Sequence, residues 1–240
     1  MKLKIVFKTP HQSIPFAYQH YIQGAIYSSL NTDTATYLHD EGDWSDNRNY
    51  KMFTFSQLLG HYVVVNRMLQ FDSKVTLYIT SLYAEVLNEI YFYLEKQGYM
   101  QIGKVKFVIE DLEAIKEVDV KSTLSSYTIK TLSPALVYTT DEKKFTTYHD
   151  PHSQIYEDIV RNNLFNKYKA LYGELPQEEV FKITDVIYSK PSIYKYKGNT
   201  FKGYNLTLKI EATHDILLIA LHTGIGSKNS GGFGMIELAS

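Results

Sequence analysis

The residues best suited to chemistry lie near the C-terminus, in a glycine-rich segment over residues 224–234. It reads GIGSKNSGGFG, and five of its eleven residues are glycine. Glycine lets the backbone approach a ligand closely, and exposed N–H groups beside a lysine can hold phosphate groups. The segment therefore predicts a phosphate-binding surface that includes Gly224, Gly226, Lys228, Asn229, Gly232 and Gly234.

Two well-known phosphate motifs do not fit this segment. A dinucleotide fingerprint needs a third glycine where Asn229 stands, and a following helix, whereas one strand is predicted downstream. A P-loop needs Gly-Lys-Ser/Thr and a helix after it, and both are missing. A plain loop before an edge strand would leave unexplained why two triplets of glycine, apolar residue and glycine are five residues apart.

A second candidate surface is a basic and aromatic stretch over residues 181–210. It carries six lysines against one acid, a local charge of +5, although the whole chain has 25 basic and 26 acidic residues. Lysines contact phosphates and aromatic rings stack on bases, so the mixture suits single-stranded RNA. The alternative is a lysine-decorated solvent face of a hairpin. The candidate RNA contacts here are Lys190, Lys195, Lys197 and Lys202.

The composition excludes several classes of protein. With 44% hydrophobic and 21% charged residues the chain is globular, and it contains no cysteine for disulfides or thiolate metal sites. Its apolar runs are too short for a membrane span or a signal peptide, so a cytoplasmic protein without membrane contact is expected. His149 and His152 could suggest a metal pair, but Pro151 between them favours the start of a helix. We therefore predict no metal and no cofactor.

The predicted elements of the first half have the order of a ferredoxin-like unit. Apolar and charged residues alternate over 2–8, as in a half-buried strand. An apolar stripe over 18–30 predicts a helix that opens near Pro15. Residues 31–33 break it, and Asp33 is expected to cap a short helix over 34–39. A polar loop at 40–50, strands at 51–56, 61–71, 74–80 and 100–110, and a helix over 82–97 ended by Gly98 complete the unit.

The second half repeats this order more loosely. It has extended segments at 122–140, a helix over 151–172, strands at 179–190 and 201–211, a helix over 214–223 and a strand over 233–238. We therefore predict an α+β fold of two tandem ferredoxin-like domains, residues 1–117 and 118–240, joined in the charged segment EAIKEVDVKS.

The glycine segment resembles the C-terminal motif of the RAMP superfamily of CRISPR-associated proteins. This copy, GIGSKNSGGFGMIE, is most similar to the precursor-crRNA-processing endoribonucleases, the Cas-six family. YQHYIQGAIY over 18–27 resembles the family's first helix, and ATYLH and KMFTFS follow in the family's order. TLSP over 131–134 resembles the start of its second domain, and NNLFNKYKALYG also fits, so the resemblance covers nearly the whole chain.

The resemblance implies two ferredoxin-like domains with an RNA-binding cleft between them, and metal-independent cleavage of CRISPR repeat RNA in the long precursor. In that reaction the ribose 2′-OH attacks the adjacent phosphorus and expels the 5′-oxygen, leaving a 2′,3′-cyclic phosphate and a 5′-OH. It needs a base, an acid and a cation beside the phosphorane. The family's Tyr, His and Lys match Tyr27 in QGAIY, His39 in TYLH and Lys51 in KMFTF.

The residues themselves are compatible with these roles. His20, Gln23 and Tyr27 share a face of the first predicted helix apart from its apolar stripe, so all three are candidates to meet RNA. In a straight helix Tyr27 and His39 would stand about 18 Å apart, but the break at 31–33 lets the chain fold back. Histidine exchanges protons near neutral pH, whereas a tyrosine phenol ordinarily titrates near 10. We therefore expect His39 to be the main proton carrier.

The other roles follow from this choice. Lys51 is expected to stabilise the phosphorane and Tyr27 to position or polarise the reacting groups. Which of Tyr27 and His39 takes the 2′-OH proton stays open, and His20 is the rival proton carrier. Acidic residues of the predicted loop 40–50 are expected to reshape the pocket: Asp40, Glu41, Asp43 and Asp46.

Two other functions compete with cleavage. One is a non-cleaving RAMP subunit that binds crRNA repeat sequence. The other is a small-nucleotide enzyme that uses the glycine segment, although the chain lacks the lysine–serine pair or acidic metal cluster such an enzyme needs. The expected partners are CRISPR repeat RNA, other subunits of a CRISPR effector complex, and a second copy of the chain in a homodimer.

Overall fold

Two antiparallel sheets of the same topology form the framework of the chain. The computed structural model describes residues 1–9, 12–45, 48–116, 120 and 123–239. The strands of the first half are β1 (Lys2–Lys8), β2 (Gln12–Pro15), β3 (Asp43–Ser45), β4 (Arg48–Tyr50), β5 (Phe53–Phe55), β6 (Tyr62–Val65), β7 (Met68–Phe71), β8 (Lys74–Ser81), β9 (Tyr99–Ile102) and β10 (Val105–Ile115). Its helices are α1 (Gln19–Ser28), α2 (Thr32–Thr36), a π-helical turn (Tyr37–Glu41) and α3 (Ala84–Gln97).

The second half contributes a shorter set of elements. Its strands are β11 (Ser125–Thr131), β12 (Tyr138–Thr140), β13 (Thr146–Tyr148), β14 (Phe181–Tyr196), β15 (Asn199–Ala212) and β16 (Ile236–Leu238). Its helices are α4 (Gln154–Tyr172), α5 (His214–Thr223) and a 3₁₀ turn (Asn229–Gly231).

The first sheet has the strand order β5-β8-β1-β10-β9. Its β1 lies between β8 and β10, with α1 before β5 and α3 after β8, which is the ferredoxin-like arrangement. The alternation predicted for residues 2–8 is present, because Leu3, Ile5 and Phe7 are fully buried. They pack with the apolar faces of α1 and α3 into one core.

The second sheet repeats this topology in the order β14-β15-β11-β16, with α4 and α5 in the places of α1 and α3. Its core joins residues of β15 to Tyr156, Val160 and Leu164 of α4 and to the apolar side of α5. The predicted α+β fold of two tandem ferredoxin-like units is therefore confirmed.

Three predicted segments are hairpins rather than a loop or a single strand. The polar stretch 40–50 contains the end of the π-helical turn and the β3–β4 pair. Residues 61–71 form β6 and β7 around Asn66 and Arg67, both with positive φ, as a two-residue I′ turn requires. The 100–110 stretch turns at Gly103 between β9 and β10. An arginine in a left-handed turn position is not a turn signal in sequence, so the second hairpin was missed.

The helix starts also differ from the predictions. Asn31, not Asp33, caps α2, because its side chain accepts the Thr34 N–H at 2.8 Å. As a result α2 begins earlier and the chain continues into the π-helical turn that carries His39. Ser153 rather than Pro151 precedes the first residue of α4 and accepts the Tyr156 N–H. The helix ends predicted at Gly98 and Gly173 are confirmed, both in the left-handed conformation.

The predicted domain boundary between residues 117 and 118 lies outside the described residues, and so does Asp46. The buried residues of the first core lie between Leu3 and Phe107, and those of the second lie between Ile129 and Ile236. Among the described helices, none combines the length and apolar character needed to cross a bilayer.

Candidate active site

Tyr27, His39 and Lys51 lie together at one end of the first sheet. The rings of Tyr27 and His39 meet edge to face with their centroids 5.9 Å apart. The Lys51 ammonium donates a hydrogen bond to the main-chain carbonyl of His39. The chain reverses after α1 through α2 and the π-helical turn, and this reversal brings His39 back to Tyr27. Three residues that are distant in sequence thus share one location.

Tyr27 is half-buried in this cluster. Its ring also packs against Phe53 of β5, with 5.9 Å between the centroids. Burial raises the pKa of Tyr27 to about 12, and the nearby Tyr196 and Asp40 add to the rise. The phenol therefore keeps its proton at neutral pH.

His39 is the exposed member of the cluster. Its Nδ1 lies 2.5 Å from a carboxylate oxygen of Asp40, and its side chain is 73% exposed. A carboxylate accepts hydrogen bonds, so Nδ1 carries the proton of this contact and Nε2 of the neutral ring remains a free acceptor. Asp40, expected to reshape the pocket, is thus the hydrogen-bond partner of the imidazole.

Lys51 connects this cluster to a cleft of about 640 Å³ between the two halves of the chain. Partial burial lowers the pKa of Lys51, although the nearby Asp40 opposes that effect. The cleft is also lined by Arg48 of β4, by α4 and by residues 226–230 of the glycine segment. A phosphate in this cleft would meet cations from both halves.

The glycines of the C-terminal segment are buried, and each faces protein atoms. A Cβ atom on Gly234 would stand 1.9 Å from the carbonyl oxygen of Ile225, and one on Gly226 2.5 Å from that of Leu136. On Gly232 it would enter the ring of Phe55, and on Gly224 it would meet the carbonyl of Gly234. All four also have positive φ. The segment was predicted to need glycine for access to a ligand, but its own close packing already requires them.

Lys167 of α4 holds the glycine segment in place through its ammonium group, and its role was not predicted from the sequence. Its side chain is 2% exposed, and its ammonium donates to Gly224 O and Asn229 Oδ1, both at 2.8 Å, and to Thr223 O at 3.4 Å. The Asn229 amide in turn donates to the carbonyls of Ile225 and Phe233. The available signal was periodicity, since Lys167 continues the apolar face formed by Tyr156, Val160 and Leu164.

Burial lowers the pKa of Lys167 to about 7. Between pH 7 and about pH 10.5, Lys167 is protonated in the unfolded chain but largely deprotonated in the folded chain. The free energy of unfolding therefore rises with pH over this range. We expect the free energy of unfolding to rise between pH 7 and 9 with a slope of up to about 1.4 kcal/mol per pH unit from this group. Urea denaturation of wild type and Lys167→Met at pH 7, 8 and 9 measures it.

The control for this prediction is Lys96→Met, which removes an exposed lysine from α3. It should leave the pH dependence of unfolding as in wild type, whereas Lys167→Met should flatten it. If the free energy of unfolding had the same pH dependence in all three proteins, the lowered pKa of the buried Lys167 would be contradicted.

The tip of the β14–β15 hairpin reaches the same region. The Tyr196 hydroxyl donates to Gln23 Oε1 at 2.7 Å, and Gln23 Nε2 donates to Ser230 O at 3.0 Å, so Gln23 joins α1 to the hairpin and the glycine segment. The pKa values of His20 and Lys228 are both lowered, first by partial burial and then by nearby Lys197. Lys197 and Lys228 thus form a positive patch, and His20 lies beside them as a ring whose neutral form is favoured.

The remaining predicted contacts lie further along this hairpin. Lys190 and Lys195 are exposed on β14, and Lys202 on β15 stands over the Tyr204 ring at 5.2 Å. Whether they contact RNA stays a prediction. Within the described ranges, no group of three or more His, Cys, Asp or Glu side chains could hold a metal ion. His149 instead pairs with Thr139, at 3.0 Å.

Known proteins resemble the chain over its whole length. Family models described as CRISPR-associated protein Cas6, N-terminal, and CRISPR associated protein Cas6, C-terminal, match residues 13–113 and 115–238. The CRISPR-associated endoribonuclease Cas6 1 of Methanocaldococcus jannaschii is 26% identical over 243 residues, covering 98% of this chain and 92% of that protein. The CRISPR-associated endoribonuclease Cas6 of Pyrococcus furiosus is 25% identical over 233 residues, covering 94% of this chain and 83% of that protein.

A solved structure shows the same fold. It comes from the characterization of a Cas6-related gene of Pyrococcus furiosus, with a TM-score of 0.86 and 23% identity over 100% of this chain and 98% of that one. The family models together span both halves of the chain, including the Tyr27–His39–Lys51 cluster and the glycine segment. The chain therefore belongs to the Cas6 family of CRISPR-associated proteins.

Proposed function

We propose that this protein is an endoribonuclease that cuts CRISPR repeat RNA in the long precursor transcript, without a metal, to give crRNAs. The convergence of Tyr27, His39 and Lys51 beside a cation-lined cleft carries the proposal. The M. jannaschii relative, named an endoribonuclease, supports it.

In the proposed reaction His39 Nε2 takes the proton of the 2′-OH. The new bond joins O2′ to phosphorus, and the bond from phosphorus to O5′ breaks. Tyr27 gives its phenolic proton to the departing O5′, and the imidazolium returns a proton through solvent. The raised pKa of Tyr27 supports the acid role, because a phenol that holds its proton is a poor base.

Lys51 stabilises the negative phosphorane in this scheme. Without RNA its ammonium is bonded to the carbonyl of His39, and a bound phosphate would offer a charged acceptor beside that carbonyl. Asp40 holds the imidazole through Nδ1, which keeps Nε2 available.

The RNA backbone would run along the positive patch of Lys197 and Lys228, beside His20, and past the glycine segment. The lysines of the β14–β15 hairpin extend this surface, and Gln23 supports it from α1. Other subunits of an effector complex, or a second copy of this chain, stay predicted partners. The cytoplasm, where the precursor is made, is the proposed location.

The test uses purified protein and labelled RNA carrying one repeat from its own genome. Incubation with EDTA should give a single cut whose 5′ fragment ends in a 2′,3′-cyclic phosphate. A cut that needs added Mg²⁺ would contradict the metal-independent mechanism. Tight binding of RNA that stays intact would favour the non-cleaving subunit instead.

A further inference from the structure

The cleft beside Lys51 has an unusual balance of charge. Its lining includes the cations Arg48, Lys51 and Lys228, the buried and weakly basic Lys167, and no Asp or Glu among the described residues. Acids and bases are nearly equal in number over the whole chain. A concave surface with cations and no described acid concentrates positive potential and favours a polyanion.

Three asparagines of α4 line the same cleft: Asn162, Asn163 and Asn166. Within the described part of the chain, no hydrogen bond engages their side chains, and the carbonyl oxygen Oδ1 of Asn163 is buried without a donor. The NH₂ groups of Asn49 and Asn229, which also line the cleft, donate to main-chain carbonyls, although Asn49 Oδ1 is likewise buried without a donor. Within the described residues, the amides of α4 are therefore not committed to another hydrogen-bond partner.

The unused amides match the chemistry of a nucleobase. An asparagine side chain presents an acceptor and two donors in one plane, and it pairs with a base edge that presents a donor beside an acceptor. Sequence-specific proteins read RNA in this way when its bases are unpaired and turned out of the stack. A buried acceptor without a donor is unfavourable, and a rotation of the Asn163 side chain into the cleft would let the N–H group of a base satisfy it.

The cleft also has the size and the walls for a nucleotide. Its volume of about 640 Å³ lies within the usual range for small-ligand sites. Tyr138, whose ring can stack on a base, lines the cleft and is held in place by Tyr148, with 5.6 Å between the ring centroids. Arg48 and Lys51 line the same cleft and supply positive charge for the phosphates of such a nucleotide.

We propose that this cleft binds one unpaired nucleotide next to the cut phosphate, and that the amides of Asn163 and Asn166 select its base. The inference rests on the proposed function, because it takes the ligand to be the repeat RNA. The amides of α4 are specificity residues for the RNA, separate from the Tyr27–His39–Lys51 cluster that performs the cut.

The test is a base scan with cleavage blocked. Repeat RNA with a 2′-deoxyribose at the cut nucleotide is varied to each other base, one position at a time. We expect wild type to show one position where the wrong base weakens binding by about 5- to 150-fold, the range of a good two-bond contact to a base. The Asn163→Ala/Asn166→Ala variant should lose that preference and bind all bases there alike.

Two controls separate base selection from damage to the fold. Asn88→Ala removes an exposed asparagine of α3 outside the cleft and should keep the full preference. Asn166→Asp keeps the side-chain shape and removes the amide donors, so it should reduce the preference without unfolding. A preference that survives the double substitution in a folded protein would overturn the inference.

Rates of cutting of the unmodified RNA keep the two proposals apart. A protein that cuts, but shows no base preference dependent on these asparagines, contradicts the nucleotide site alone. If the protein never cuts, that result contradicts the nuclease, and the same scan is run on unmodified RNA. A base preference that the double substitution removes would then still support the nucleotide site.

Discussion

Replacing His39 by alanine is expected to slow cleavage of repeat RNA by roughly 10²- to 10⁴-fold, the usual contribution of a general acid or base. Affinity for the RNA should stay within a few-fold, because the imidazole is largely exposed and belongs to neither core. Single-turnover cleavage measures the first effect. Binding to RNA with a 2′-deoxyribose at the cut nucleotide measures the second.

The chain provides a close control for this prediction in His61. Its side chain is 72% exposed and its Nδ1 lies 2.7 Å from Asp72, which nearly reproduces the exposure and carboxylate contact of His39. His61→Ala should cut at the wild-type rate. Wild-type cutting by His39→Ala would remove His39 from the reaction, and equal losses in both variants would show a general effect of the substitution.

Replacing Gly234 by alanine should destabilise the protein by about 3 kcal/mol or more and abolish cleavage. The new Cβ would stand 1.9 Å from the Ile225 carbonyl oxygen, inside any van der Waals contact, so the backbone has to move. The left-handed backbone at Gly234 adds about 1–2 kcal/mol for a residue that has a Cβ. The movement would break the Ile225–Gly234 hydrogen bond of 2.8 Å and displace Lys228 from the cleft.

Gly98→Ala is the matched control. Gly98 has nearly the same φ, +68° against +70° for Gly234, but a Cβ there would meet nothing within 4 Å. It should therefore show the backbone cost alone, about 1–2 kcal/mol, and cut normally. Urea denaturation of both variants isolates the steric contribution. Equal destabilisation of the two variants would contradict the close approach of the backbone at Gly234 to the carbonyl of Ile225.

The features predicted correctly are those that neighbouring residues determine. The alternation over β1 and the glycine ends of α3 and α4 depend on contacts within a few residues, so local patterns reveal them. The ferredoxin-like arrangement of both halves was also predicted, because that order of strands and helices admits few ways of connecting them.

The features that were missed depend on residues far apart in the chain. In the sequence, Lys167 is only a polar residue on an apolar helix face. Its role depends on the carbonyls of residues 56 and 57 positions later, to which its ammonium donates. The glycines of the C-terminal segment were assigned to ligand access, because their contacts with Phe55 and Leu136 cannot be read from the segment itself. Likewise, the three asparagines of α4 form an ordinary polar face in the sequence. Only the folded structure shows that they and the glycine segment line one cleft.

The contacts of Gln23 have a consequence for the order in which the protein becomes active during its synthesis. Gln23, on the helix that carries Tyr27, is held by Tyr196 and Ser230, which leave the ribosome much later. A nascent chain that has completed only its first sheet possesses the tyrosine and the histidine, but it lacks both these supports and Lys228. The helix that carries Tyr27 therefore gains these supports only after residues 196 and 230 have been synthesised, and we expect a product of translation interrupted before residue 196 to lack the arrangement that the proposed cleavage needs.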